Sequence, residues 1–135
     1  MENEEIKEIL RSSKTVAVVG ISPKEDRPSY GVASYLKSKG YRVIPVRPDG
    51  DEILGEKIYR SLTEIPREIE IDVVDIFRKS EDVPPVVEEA IHRRANVVWM
   101  QEGVINQEAR AKAEKAGLKV VMDRCMKKDH QRLLG

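Results

Sequence analysis

A single cysteine, Cys125, excludes an internal disulfide and a cysteine-built metal cage, and leaves that thiol either structural or reactive. Charge of one sign is missing as well. The 24 Lys and Arg are balanced by 24 Asp and Glu, so the broad positive field of a nucleic-acid binder is absent and any phosphate recognition has to be local. No apolar run approaches the roughly 20 residues that span a bilayer. The acidic start Met1-Glu-Asn-Glu-Glu5 is the reverse of a signal peptide's basic one. A soluble, cytoplasmic protein is therefore expected, with neither nucleic acid nor membrane as a partner. The two histidines, His92 and His130, fall in helical patterns away from strand ends. With no Ser-His-Asp order, no paired strand-end carboxylates and no metal-ligand spacing, no catalytic residue and no metal ligand is assigned.

What is present is regular alternation. The 135 residues show no linker or repeat and read as one domain, 1–135. Five short, mostly β-branched runs, at 16–19, 41–46, 72–77, 97–100 and 119–122, have the composition of strands buried on both faces of a parallel sheet. Amphipathic segments separate them. Val32, Tyr35 and Leu36 mark one helix, closed by Gly40. Val83, Val86, Val87, Ala90 and Ile91 mark a second, with Ser80 as its expected N-cap, and Asn106 is the expected cap of a third that ends at Gly117. A leading and a trailing helix complete the chain, and 53–60 makes a small extra strand or loop. This succession predicts an α/β fold with a doubly wound parallel sheet, and the right-handed crossover rule suggests the strand order 3-2-1-4-5. Ligands of such sheets bind outside the carboxyl ends of the strands.

The segment from Val16 through Gly20 to Gly31 is the most informative. A strand breaks at a glycine into a basic loop and then enters a helix, which sets free N–H groups and the positive end of a helix dipole above the sheet. That is an anion site, most often for phosphate. The dinucleotide fingerprint G-x-G-x-x-G is not satisfied, because Ile21, Ser22 and a longer polar insert follow Gly20. Ser22 and Ser29 offer hydroxyls, Lys24 a point charge and Arg27 a fork that fits phosphate oxygens in pairs. The second strand ends in Arg47-Pro48, where an NAD site places an acidic residue to accept from the ribose hydroxyls. Arg47 suits instead a ribose that carries an extra phosphate, as in NADP or coenzyme A, although Asp49 or Asp51 could restore the acidic role. Phe77 and Arg78 end the third strand and Gln101 and Gly103 follow the fourth, so that all four border the same crevice. Cys125 lies beyond the fifth strand, at an expected helix N-terminus beside Arg124, two features that favour a thiolate and a redox-active thiol.

The pieces Val18-Val-Gly-Ile-Ser-Pro-Lys24, Arg27-Pro-Ser-Tyr30, Gly40-Tyr-Arg-Val-Ile-Pro-Val46, Val74-Asp-Ile-Phe-Arg78, Val98-Trp-Met-Gln101 and Val121-Met-Asp-Arg-Cys125 together resemble the small, stand-alone coenzyme A-binding protein family. The match runs in order from about Thr15 to Leu133. The resemblance implies a Rossmann-like fold, similar to the CoA-binding domain of the succinyl-CoA synthetase α subunit, and binding of CoA or an acyl-CoA without an established catalytic step. It implies Gly20, Ser22, Lys24, Arg27, Ser29 and Tyr30 around the phosphates, Arg47 and Pro48 at the ribose, and Phe77, Arg78, Gln101 and Gly103 along the crevice. Where the family usually has Val-Asn-Pro, this chain has Val46-Arg47-Pro48, and Glu102 stands where a small or apolar residue is common. An NADP-dependent oxidoreductase is the alternative. A regulatory interaction module without a ligand is a second.

Overall fold

The computed structural model describes residues 1–135. Along the chain lie α1 (Asn3–Ser12), β1 (Thr15–Val19), α2 (Pro28–Ser38), β2 (Arg42–Val46), a small hairpin of β3 (Glu52–Ile53) and β4 (Glu56–Lys57), β5 (Val73–Ile76), α3 (Val83–His92), β6 (Val97–Met100), α4 (Gln107–Lys115), β7 (Lys119–Met122) and α5 (Met126–Leu133). No helix is long and apolar enough to cross a membrane. The strands are apolar on both faces because both faces are covered. Ala17 and Val19 of β1 join Val74, Ile76, Val98 and Met100 under α3 and α4. Val16 and Val18 join Val73, Trp99 and Val121 under α1, α2 and α5. The period of two along each strand thus feeds two separate cores, one per layer of helices.

The five strands of the main sheet are all parallel and run β2-β1-β5-β6-β7. The fold is the doubly wound α/β sheet expected. The strand order 3-2-1-4-5 is corrected: the third strand of the sheet, β5, passes β2 and settles beside β1, giving 2-1-3-4-5. Crossover handedness fixes the sense of each connection and not the side on which a strand joins. Two features keep β2 at the edge. Pro45 has no N–H to give an outer neighbour, and proline is confined to edge strands for that reason. The chain after the hairpin also occupies the outer side, where Tyr59 N–H donates to Pro45 O at 3.0 Å and Arg47 N–H to Tyr59 O at 2.9 Å. The switch point of the sheet therefore lies between β1 and β5.

Of the helix starts read from sequence, Asn106 caps α4 by accepting from Ala109 N–H at 2.9 Å. Ser80 does not cap α3. It opens a 3-10 turn, Ser80–Asp82, that precedes the helix, and its hydroxyl accepts from Ile105 N–H at 2.9 Å, tying the loop after β5 to the loop after β6. The long passage from β4 to β5 is held by Arg93, whose guanidinium donates to the carbonyls of Leu62, Ile65, Pro66 and Ile69. Leu62 N–H in turn donates to Glu89 at 2.8 Å. Removing Arg93 strands several half-buried carbonyls at once, so Arg93→Ala is expected to lower stability to urea by about 2–4 kcal/mol. Arg110→Ala, which breaks only an exposed pair with Glu114, is expected to stay within about 0.5 kcal/mol.

β5 carries one group at odds with its surroundings. Asp75 is 0% exposed, between Val18 and Trp99 in the sheet, and neither carboxyl oxygen has a hydrogen-bond partner in the protein. Burial pushes its pKa well above the usual carboxylate range. The folded state thus holds a proton that the unfolded chain releases above about pH 4. Stability is full below that pH and falls as pH rises towards the folded pKa, by up to about 1.4 kcal/mol per pH unit. Asp75→Asn keeps the shape and cannot ionise. Its melting temperature is expected to gain on the wild type steadily from pH 5 to pH 8, whereas a constant difference would mean that folded Asp75 is already ionised, as in the unfolded chain, across this window.

Candidate functional site

The carboxyl ends of β1, β2, β5 and β6 open onto a crevice of about 610 Å³. Gly20 forms its floor. It has a φ of 88°, in the left-handed region, and a Cβ there would run into the Phe77 carbonyl oxygen and approach Arg78 Nε at 3.2 Å. Only glycine lets the chain leave β1 this close to β5. On either side of this point, Gly20 N–H donates to Val46 O at 2.9 Å and Phe77 N–H to Val19 O at 2.8 Å.

From Gly20 the loop climbs to α2. It is folded by its own serines: Ser22 N–H donates to Ser29 Oγ at 2.9 Å and Lys24 N–H to Ser22 Oγ at 3.1 Å. Each hydroxyl keeps its own hydrogen to donate. No side chain caps α2, which begins with Pro28. Its first backbone hydrogen bond is Gly31 N–H to Arg27 O at 3.1 Å, so the N–H groups of Ser29 and Tyr30 come before the ladder starts and point out of the helix end. The loop thus presents two backbone N–H groups outside the helix ladder, and Ser29 itself is buried.

Arg47 reaches across the mouth from the end of β2. Its Nε donates to Asp49 O at 2.9 Å and one terminal nitrogen to Ile21 O at 2.9 Å. Part of its fork is therefore spent on fixing the two loops together, a role the sequence does not show. Opposite, Arg78 Nε and Gln101 Oε1 are buried with no hydrogen-bond partner in the protein. Lys24, Arg27, Arg47, Arg78 and Lys79 all line the crevice, with Glu102 as the acid among them. Glu102 is turned to Lys128, at 2.9 Å. A chain of zero net charge so concentrates positive charge at one place.

Of the residues singled out from sequence, the structure brings together Gly20, Ser22, Lys24, Arg27, Ser29, Arg47, Phe77, Arg78 and Gln101 as the crevice lining. Tyr30 packs its ring partly against the core under α2, leaving its backbone N–H as its contribution. Pro48 and Gly103 lie outside the lining. Gly103 N–H donates to Asp123 at 2.7 Å and pins the loop after β6 to the loop after β7. Cys125 is placed elsewhere altogether, in the apolar packing with Met126, Trp99 and Val121. Arg124 does not serve its thiol, because Asp129 takes that guanidinium through two bonds at 2.7 and 2.8 Å. Pro23, Pro28, Lys79, Glu102 and Val104 complete the lining. Pro28 had a signal, proline at the first position of a helix. Lys79, Glu102 and Val104 lie at strand ends, where any residue is a candidate.

A cavity of about 670 Å³ at the opposite edge of the sheet is lined by Arg67, His92, Arg93 and Arg94 among others. It faces the amino ends of the strands, and Arg93 there is committed to backbone carbonyls. The carboxyl edge is the ligand edge of such sheets.

Comparison with known proteins places the fold and the family. The chain is 46% identical over 126 residues to the uncharacterized protein YneT of Bacillus subtilis, covering 93% of this chain and 92% of that one. A hypothetical protein from Pyrococcus horikoshii OT3 has the same structure with a TM-score of 0.95 at 46% identity, over 100% of this chain and 94% of the other. The ADP-forming acetate–CoA ligase I subunit alpha of Pyrococcus furiosus is 35% identical over 97 residues, which are 67% of this chain but only 21% of that subunit. The chain thus spans about a fifth of that ligase subunit. The CoA binding domain family matches residues 14–131, and to that family the chain belongs.

Proposed function

We propose that the crevice binds coenzyme A, free or as an acyl-CoA, with the pyrophosphate over Gly20 and the start of α2 and the ribose 3′-phosphate at Arg47. The carrying observation is the set of unused donors at the crevice and at the start of α2 beside it. Arg78 Nε is buried without a partner, and the Ser29 and Tyr30 N–H groups are unspent. A multiply charged phosphate ligand is what such a set suits. The residues fit the group in shape too, since Gly20 lets the backbone itself form the floor. The family, and the CoA named for the ligase relatives, support the same ligand. We assign binding, in a non-catalytic or regulatory capacity, across one domain of 135 residues. NADP shares the extra ribose phosphate and is the competing ligand.

CoA is expected to raise the melting temperature, because a ligand that binds only the native state adds about 2.7 kcal/mol at a hundredfold excess over its dissociation constant. NAD should do so weakly or not at all. A larger shift with NADP than with CoA would move the assignment to an oxidoreductase. Arg47 gives a second test, by calorimetry with CoA and dephospho-CoA. The wild type is expected to prefer CoA by about ten- to a hundredfold, the worth of a charge-assisted hydrogen bond. Arg47→Ala should weaken both ligands somewhat by loosening the loops and should erase the preference. Arg27→Ala should weaken both alike. Equal affinity of the wild type for the two would remove Arg47 from the phosphate.

A further inference from the structure

We infer that Gln101 recognises the pantetheine arm of the ligand, its Oε1 accepting a hydrogen bond from an amide N–H of that arm. The inference rests on the CoA reading and takes it one step further, to how the ligand is oriented and what holds its uncharged half.

Gln101 is 7% exposed, lines the crevice, and its Oε1 is buried with no partner in the protein. An unpaired buried acceptor is costly, and its partner must be a donor. Phosphates are acceptors at neutral pH and cannot fill that role. The backbone of the residue is fixed at both groups. Its N–H donates to Ile76 O at 3.3 Å and its carbonyl accepts from Val104 N–H at 2.8 Å.

Sheet order decides which donor of the ligand comes near. Arg47 ends β2 and Gln101 follows β6, with β1 and β5 between them. At about 4.8 Å per strand, three spacings separate the two ends by roughly 14 Å. The phosphate donors, the Ser29 and Tyr30 N–H groups and Arg78, sit over the middle, above the Gly20 floor at the ends of β1 and β5. In CoA the covalent order is ribose, pyrophosphate, pantetheine. With the ribose phosphate at β2 and the pyrophosphate over β1 and β5, the chain of the ligand continues over β6. What it carries there is the pantetheine arm with its amide N–H groups. The opposite polarity of the two unpartnered atoms, a donor on Arg78 and an acceptor on Gln101, matches that order, anion first and amide second.

The test compares CoA with adenosine 3′,5′-bisphosphate, which lacks the arm, by titration calorimetry on the wild type, Gln101→Leu and Gln101→Met. The expected result is a loss of CoA affinity of about five- to fifteenfold in both variants. Binding of the bisphosphate should be unchanged within about twofold, which also shows that the variants are folded. An equal loss for both ligands, or none for either, would overturn the assignment of Gln101 to the arm while leaving CoA as the ligand. So would a wild type that binds the two ligands equally. A wild type that binds neither would overturn the CoA reading itself.

Discussion

The site depends on how closely two backbones approach. β1 and β5 are neighbours whose following segments leave the sheet in different directions, and at their carboxyl ends Gly20 passes against the Phe77 carbonyl with no room for a side chain. That contact sets the floor of the crevice. It lets the Gly20 N–H reach Val46 O on one side, while Arg78 lies over the bare glycine on the other. Any side chain at residue 20 would meet two penalties together, a positive φ and a collision with backbone that cannot move without shifting β5. The loop to α2, the reach of Arg47 to Ile21 and the position of Arg78 all follow from this one crossing.

Strand existence was legible because β-branched runs bounded by polar segments leave little ambiguity; β6 and β7 fall on the expected residues and the others within one. Strand order was less legible, since apolar runs look alike whether a strand is central or at an edge. One residue did carry the information. Pro45 lies inside β2, one residue from its end, and a strand that cannot donate on one side reads as an edge strand, which excludes a third strand beyond it. The loop from β1 to α2 was legible because its geometry is local, a strand, a glycine and a helix start in succession. The setting of Cys125 was not. Its expected reactivity rested on a helix N-terminus and on Arg124; Cys125 does stand at the N-cap of α5, but it is buried and the guanidinium pairs with Asp129 one helical turn further on. The bond of Arg47 to Ile21 joins two loops 26 positions apart and leaves no sequence trace. Asp75 could have been noticed. A carboxylate in the middle of the apolar run Val73-Val-Asp-Ile76 breaks its pattern, and such breaks gather near functional sites.

Zero net charge and a cationic crevice are compatible because the lining gathers five cationic side chains and one acid, Glu102, which is drawn aside. Glu102 pairs with Lys128, Asp123 accepts from Gly103 N–H, and Asp129 is shared between Arg124 and Arg132. Each of these bonds also holds the loops after β6 and β7 and the start of α5. Exposed pairs such as that of Glu102 contribute little stability. Their effect on the site is larger than on the fold, since a carboxylate drawn aside no longer opposes a phosphate across the crevice. The carbonyls accept in the same sense: Ile21 and Asp49 take up two of the N–H groups of Arg47 and orient the rest.

The cationic groups of the crevice therefore differ in what binding asks of them. Lys24 and Arg27 are exposed, and fixing such long side chains on a ligand costs about 0.5–1.5 kcal/mol each in lost freedom. Arg47 has already met that cost in holding its loops, and the buried nitrogen of Arg78 lies over Gly20 before any ligand arrives. Preorganised donors convert more of each hydrogen bond into affinity. On the proposed coenzyme A reading, the crevice reads geometry at Arg47, Arg78 and Gln101 and adds unspecific attraction at Lys24 and Arg27. The specificity of the site then resides in the residues that the fold holds still.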